Sequence, residues 1–175
     1  MKRIETEIAG VVTIELDSHR DERGAFTRIF DALEVGDRTG QGFEQWSIAD
    51  NDRRGTLRGL HFQAEPHGET KLVMCVRGSA MDVAVDLRPS SPTYLRHVAV
   101  TLRGDHPVWV CIPPGCAHGY QTLEAHTRLL YAIAGRYVPD AARGINHRDP
   151  RLAIAWPLEV AAISDRDASW PFVED

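Results

Sequence analysis

Hydrophobic and polar residues alternate with a period of two along several short stretches of the chain. Over 79–87, Met81, Val83, Val85 and Leu87 share one face while Ala80, Asp82, Ala84 and Asp86 share the other, which predicts a half-buried β-strand. Segments 71–76, 96–102, 108–112 and 127–133 are rich in Val, Leu and aromatic residues and are set apart by Gly, Pro or Asp, so they predict further strands. Gly78, between 71–77 and 79–87, predicts a hairpin. Helical turns are suggested only over 31–35 and 139–143. Many short strands about 8–12 residues apart predict an all-β chain, an antiparallel jelly roll or β-sandwich with a few short helices. Internal repeats and low-complexity linkers are absent from the sequence.

The 175 residues fall within the roughly 100–200 typical of one domain, and a chain of that length can bury a full core without disulfides or metal. One unit spanning 1–175 is therefore expected. Hydrophobic residues make up 43% and charged residues 26%, a balance that opposes extended disorder. Twenty Lys and Arg against 25 Asp and Glu give a net charge of −5, so the chain lacks the global basic field of a nonspecific nucleic-acid binder. A local basic pocket for one anionic ligand is still compatible with that sum. No run approaches the roughly eighteen apolar residues of a membrane span, and Met1-Lys2-Arg3-Ile4-Glu5 lacks an apolar signal core. A cytoplasmic protein with no membrane partner is expected. Cys75, Cys111 and Cys116 fit buried thiols in a reducing compartment better than a disulfide framework.

Candidate chemistry concentrates in two segments. Small β-barrels bind ligands in the mouth or interior, where inward strand positions carry the polar groups. The denser segment is Gly55-Thr56-Leu57-Arg58-Gly59-Leu60-His61-Phe62-Gln63, with Lys71 ten residues after the histidine. On a regular strand Arg58 and His61 face opposite ways, and a bulge at Gly59 would reconcile them. The plain alternative is a satisfied core histidine. The second segment, Ile112-Pro113-Pro114-Gly115-Cys116-Ala117-His118-Gly119-Tyr120, uses Pro-Pro-Gly as a turn that presents His118 at the start of a strand.

Two readings compete for these residues. His61 and His118 invite a metal site like that of metal-binding cupins, but Gln63 stands two residues after His61 and no Glu lies at the expected short spacing. Two imidazoles and an amide make a poor divalent site. In the acid–base reading, a histidine oriented by a carboxylate is the base, a phenol is the acid and a lysine stabilises an oxyanion. Lys71 and Tyr131 lie on predicted strands, and Asp165 or Asp167 in the tail 163–175 could supply the carboxylate. Spacing leaves their convergence open. The plainer assignments are Lys71 on a solvated strand end, Tyr131 in the core and Asp167 as one charge of a solvated tail, dispensable unless something in it packs or reacts.

A larger set of segments runs in order over nearly the whole chain: Asp21-Glu22-Arg23-Gly24-Ala25-Phe26, 55–63, Lys71-Leu72-Val73, Arg77-Gly78, 82–88, Ser91-Pro92-Thr93, 114–119, Leu130-Tyr131, Asp149-Pro150, Trp156-Pro157 and 164–167. Together they resemble the dTDP-4-dehydrorhamnose 3,5-epimerase family. The resemblance implies a cupin-type jelly roll, a homodimer without metal or other cofactor. Its implied substrate is a nucleotide-diphospho-4-keto-6-deoxyhexose, epimerised at carbon 3 and/or 5. By position it makes His61 the base, Asp167 its orienting carboxylate, Tyr131 the acid on the opposite face of the sugar and Lys71 the cation near the keto oxygen. It makes Arg58 a diphosphate contact and His118 a pocket histidine, with Gln63, Tyr137 and Arg166 expected to bind substrate beside them. Arg23 and Phe26 correspond to residues that one subunit lends to the nucleotide end of its partner's site. The surrounding shell departs from the family pattern at Trp46 and Ile48, where Gln and Asn are usual, and at Arg28, Ala132, His147 and Arg148. That altered shell motivates the alternative of a non-catalytic sugar-nucleotide-binding module, as the two histidines motivate a metal-dependent oxygenase or isomerase.

Overall fold

The computed structural model describes residues 1–36 and 42–173; the last two residues of the expected polar tail lie outside that range. The strands, in chain order, are β1 (Lys2–Glu5), β2 (Val12–Glu15), β3 (Ser18–Asp21), β4 (Gly24–Thr27), β5 (Gln45–Asn51), β6 (Leu57–Gln63), β7 (Thr70–Arg77), β8 (Ser79–Asp86), β9 (His97–Arg103), β10 (Val108–Ile112), β11 (Cys116–Thr122), β12 (Thr127–Ala134) and β13 (Ala142–Gly144). Helical structure among the described residues is a π turn at Ala32–Gly36, a 3-10 turn at Pro139–Ala141 and the short α1 (Asp165–Ala168). The two helical turns expected at 31–35 and 139–143 therefore form, the second giving way to β13. None of the described helices is long and apolar enough to cross a membrane.

Six strands form one antiparallel sheet in the order β1-β2-β10-β7-β12-β5, and five form a second in the order β13-β6-β11-β8-β9. The pair β3–β4 stands apart as a two-stranded ribbon. Inward residues of both sheets meet in the central core, with Val73, Val110 and Leu129 from one and Ala80, Leu102 and Tyr120 from the other. The all-β sandwich expected from the period-two pattern is the observed fold, of the cupin-like jelly-roll type.

Two expectations are corrected. Segments 71–77 and 79–87 do not form a hairpin, because β7 and β8 belong to different sheets. Gly78, at φ +74°, carries the chain from one sheet to the other, and a Cβ there would lie 2.5 Å from Thr127 Oγ1. Nor is β8 half-buried. Its Ala80 and Ala84 face the central core, while Val83 and Val85 pack outward against Ile145, Leu152 and Trp156 of the C-terminal segment. Period-two alternation identifies two faces but not whether a second layer covers the outer one. The six-stranded sheet is covered likewise, with Ile14, Leu72 and Trp109 packing against Phe30 and Phe43. All three cysteines are free and buried, as expected.

Candidate active site

A cavity of about 350 Å³ opens between the sheets, with β5, β7 and β12 on one wall and β6, β11 and β13 on the other. Its chemistry begins with an irregularity in β6. His61 pairs with His118 and Arg58 with Tyr120, so three steps along β6 oppose two along β11. The extra residue forms a bulge at Gly59, which takes φ +117°; a Cβ there would sit 2.5 Å from Gly119 Cα. The bulge turns Arg58 and His61 to the same side, and both line the cavity. This is the reconciliation that the Gly59 position suggested.

The C-terminal segment then completes the histidine. Ser164 caps α1 by accepting the Asp167 amide at 3.1 Å, and α1 packs against β6. Asp167, buried, places Oδ1 2.7 Å from His61 Nε2 and accepts the Gly59 amide on Oδ2 at 3.1 Å. Burial works against ionisation of this carboxyl, but the hydrogen bonds from His61, Gly59 and Trp170 outweigh it and hold Asp167 below the usual carboxylate range. An ionised carboxylate only accepts, so His61 Nε2 carries a proton toward Asp167, and in the neutral ring Nδ1 is the nitrogen with a free lone pair. The tail thus does pack, the condition under which it would matter, and Asp167 rather than Asp165 pairs with His61.

Tyr131, on β12, lines the same cavity, with Lys71 of β7 registered opposite the neighbouring inward position, Ile133. Burial first, then the nearby Tyr120 and Asp82, push the Tyr131 phenol well above its ordinary value, so it carries its proton at neutral pH. Its ring meets His118 edge-on at 5.8 Å. His118 is buried with Nε2 2.7 Å from Asp82 Oδ1, a second His–Asp pair in the same site. Lys71 is no solvated strand end. Its Nζ lies 3.0 Å from Glu69 Oε1 and donates to the His61 carbonyl at 3.2 Å.

The remaining expected residues divide into wall, rim and remote groups. Arg58 donates from Nε to Asn51 Oδ1 at 3.0 Å, an oxygen that also accepts Tyr120 Oη at 3.0 Å. Gln63 is buried and braces the wall, accepting the Val138 amide at 2.8 Å while its amide donates to Glu69 Oε2 at 3.0 Å. Tyr137 and Arg166 stand at the exposed rim, with the Arg166 guanidinium 4.9 Å above the Trp170 ring. Arg23 and Phe26 are not in this cavity. They occupy the exposed β3–β4 ribbon, beside a separate surface hollow, with Arg23 ion-paired to Asp21.

The residues that depart from the family pattern stand elsewhere too. On β5 it is Gln45 and Ala49 that line the cavity, while Trp46 turns outward against Phe30 and Trp109. Ile48 shares that outward face, and Ala132 is buried in the outer cluster. Arg28 is ion-paired with Asp31 on the surface. His147 is buried, and burial is the main cause of its lowered pKa. Among the residues to which the sequence assigned no role are Glu69, Tyr120 and Arg143, which line the cavity, and Asp82, the buried partner of His118. Asp82 carried one usable signal, a carboxylate between two alanines on one strand face, where small neighbours leave room for a buried partner.

The cavity thus presents a carboxylate-oriented imidazole, a protonated phenol and a lysine ammonium, rimmed by guanidinium groups. Such a set can remove a proton beside a carbonyl, hold the enolate and return a proton. The sequence profile of the dTDP-4-dehydrorhamnose 3,5-epimerase family matches residues 5–175. A dTDP-4-dehydrorhamnose 3,5-epimerase of Shigella flexneri is 38% identical over 170 residues, 95% of this chain and 93% of that protein. Among solved structures, the dTDP-6-deoxy-D-glucose-3,5-epimerase of Legionella pneumophila in complex with dTDP-4-keto-L-rhamnose is 36% identical. It superposes with a TM-score of 0.92 over 98% of this chain and 92% of its own. The dTDP-4-dehydrorhamnose 3,5-epimerase of Bacillus anthracis with TDP and pyrophosphate bound gives 35% identity and a TM-score of 0.93, covering 98% and 99%.

Proposed function

The chain belongs to the dTDP-4-dehydrorhamnose 3,5-epimerase family, and from that premise we propose that it epimerises a dTDP-4-keto-6-deoxyhexose at carbon 3, carbon 5 or both, in deoxysugar biosynthesis. It is an isomerase. The two carbons flank the 4-keto group, so removing a proton from either yields an enolate whose charge rests on the keto oxygen. His61 Nδ1 takes that proton, Asp167 stabilises the resulting imidazolium, and the Lys71 ammonium meets the enolate oxygen. Tyr131 then delivers a proton to the opposite face of the carbon, which inverts the centre. Proton exchange with water restores His61 and Tyr131. The carbonyl itself supplies the acidity, so each step needs only these groups.

The observation that carries the reading is the convergence of the His61–Asp167 pair, at 2.7 Å, with Tyr131 and Lys71 on one cavity. Arg58 on its wall and Arg166 at its rim suit a diphosphate, which guanidinium groups match in bidentate fashion. The assay is solvent exchange. Incubated in heavy water with a dTDP-4-keto-6-deoxyhexose, the protein is expected to place deuterium at carbon 3, carbon 5 or both, and the pattern reports which centres invert. Binding of the nucleotide sugar without incorporation would identify a binding module instead.

The homodimer belongs to the same proposal. Phe26 is 73% exposed on a ribbon that contributes nothing to its own cavity, and an aromatic so placed is suited to cover the nucleotide end of a partner's site. A monomeric mass in solution would remove that assignment for Arg23 and Phe26. The buried free thiols suit a reducing cytoplasm.

A further inference from the structure

Glu69 is a carboxylate where the proposed substrate makes a carboxylate unwelcome. It sits just before β7 and lines the cavity alongside Arg58, Lys71, Arg143 and Arg166, and among the described lining residues it is the one acidic side chain. A free carboxylate there would repel both a diphosphate and a growing enolate charge. Glu69 is not free. Its side chain is 10% exposed, Oε1 lies 3.0 Å from Lys71 Nζ, and Oε2 accepts the Gln63 amide at 3.0 Å. With both oxygens engaged it is badly placed to act as a second base, and its charge is matched locally by the ammonium it holds.

The number of donors on that ammonium gives the arrangement its meaning. A lysine ammonium has three N–H groups in tetrahedral array. One is donated to the carbonyl of His61 at 3.2 Å, while Glu69 holds the charge as an ion pair at 3.0 Å. Donor capacity is left over, on a side chain that lines the cavity. Both anchors are local to the site: the first comes from the backbone of the base itself, the second from the residue two before Lys71. Gln63 ties the brace to the residue just after the rim tyrosine, because its Oε1 accepts the Val138 amide at 2.8 Å. A flexible four-carbon stem is thereby fixed relative to His61 before substrate arrives.

We propose that Glu69 is a positioning residue for the epimerisation: by gripping Lys71 as an ion pair it holds the ammonium at a set place beside His61, where a hydrogen not given to the His61 carbonyl meets the substrate's keto oxygen. The inference rests on the epimerase reading, in which Lys71 stabilises the enolate. Glu69 acts through Lys71 and does not itself touch the reacting atoms.

The test is a double-mutant cycle of Glu69→Gln with Lys71→Ala, read as deuterium incorporation into a dTDP-4-keto-6-deoxyhexose together with dTDP affinity. Glu69→Gln keeps the shape but removes the charge, and is expected to lower kcat about 10- to 100-fold, the scale of a misplaced catalytic group, while dTDP affinity stays within about threefold. Glu69→Asp, which keeps the charge, should recover part of the loss. In the Lys71→Ala background Glu69→Gln should cost little more, because the group it positions is already gone. Turnover of Glu69→Gln within about twofold of the parent, or losses that multiply in the double variant, would overturn the assignment. If Glu69→Gln does not fold, Glu69→Asp and its product with Lys71→Ala run the same cycle. Absence of exchange by the unaltered protein would instead bring down the epimerase reading, and this inference with it.

Discussion

Replacing Asp167 by Asn tests the histidine–carboxylate pair with almost no change of shape. The carboxylate accepts from three donors: His61 Nε2 at 2.7 Å and Trp170 Nε1 at 3.3 Å on Oδ1, and the Gly59 amide at 3.1 Å on Oδ2. An amide has one acceptor oxygen, so it must fail one side. If the oxygen serves His61, the NH2 opposes the buried Gly59 N–H, at a cost of roughly 1–3 kcal/mol. If the oxygen serves Gly59, the fold is spared all but the long Trp170 bond. The NH2 then faces His61 and drives its proton onto Nδ1, the nitrogen that must accept the substrate proton. The second arrangement is the less costly for folding and the worse for chemistry. In both, the imidazolium loses its counter-charge. A wrong-tautomer histidine in a comparable triad loses about 10⁴ in rate, and a loss of 10²–10⁴ corresponds to roughly 3–5 kcal/mol of transition-state stabilisation. The assay is deuterium incorporation at carbons 3 and 5 by NMR, with nitrogen-15 shifts of His61 to report the tautomer and a thermal melt to confirm folding. A folded Asp167→Asn protein that exchanges within about fivefold of the parent would refute the reasoning, since no step would then depend on the pair.

Three further outcomes follow from the geometry. Tyr131→Phe should lower inversion about 10²–10⁴-fold while dTDP affinity holds, and exchange should outlast inversion, because His61 can still remove a proton and return a deuteron to the same face; equal loss of both would place the phenol in the abstraction step. Asp86 is fully buried, and although burial opposes its charge, Arg88, Ser91 and Thr93 hold its carboxyl far below the usual range. Its stabilising contribution is therefore complete above the unfolded-state value of about 3.9 and lost as pH falls toward the folded value. Asp86→Asn should cost roughly 3 kcal/mol in urea unfolding near neutrality, with the gap narrowing as pH falls below about 4; a constant gap would show that the charge is irrelevant. Burial pushes the Cys111 and Cys116 thiols up to about 11 and raises Cys75 as well, so a thiol reagent at about pH 8 should label none of them until denaturant is added; rapid native labelling would contradict their burial.

Strand positions were legible because alternation is a local property, and 108–112 forms as β10 with the expected bounds. Which strand lies beside which was not. Gly78 looks like a hairpin glycine in sequence, yet it links two sheets, since a sharp turn with positive φ serves either purpose. The buried outer face of β8 was hidden for a similar reason, its cover arriving from residues about 60 to 70 positions later, such as Ile145 and Leu152. At the site, the Gly59 bulge could be inferred from one glycine between two polar residues that needed a common side. Asp167 was identified by resemblance alone, because no spacing rule joins residues 106 apart. Trp46 and Ile48 depart from the family pattern, but register turns them to the outside of β5 and brings Gln45 and Ala49 inward. Asp82 and Glu69 show the commonest blind spot: a carboxylate reads as a solvated charge until its buried partner is known.

The capped turn that supplies Asp167 bears on when the protein becomes chemically competent. A nascent chain leaves the ribosome with every sheet strand before α1, so His61 is made long before the group that sets its proton. Until α1 docks on β6, the imidazole lacks the carboxylate that fixes its tautomer. In the proposed reaction, His61 would thus be armed as a base only after the sheets that contain it have been made.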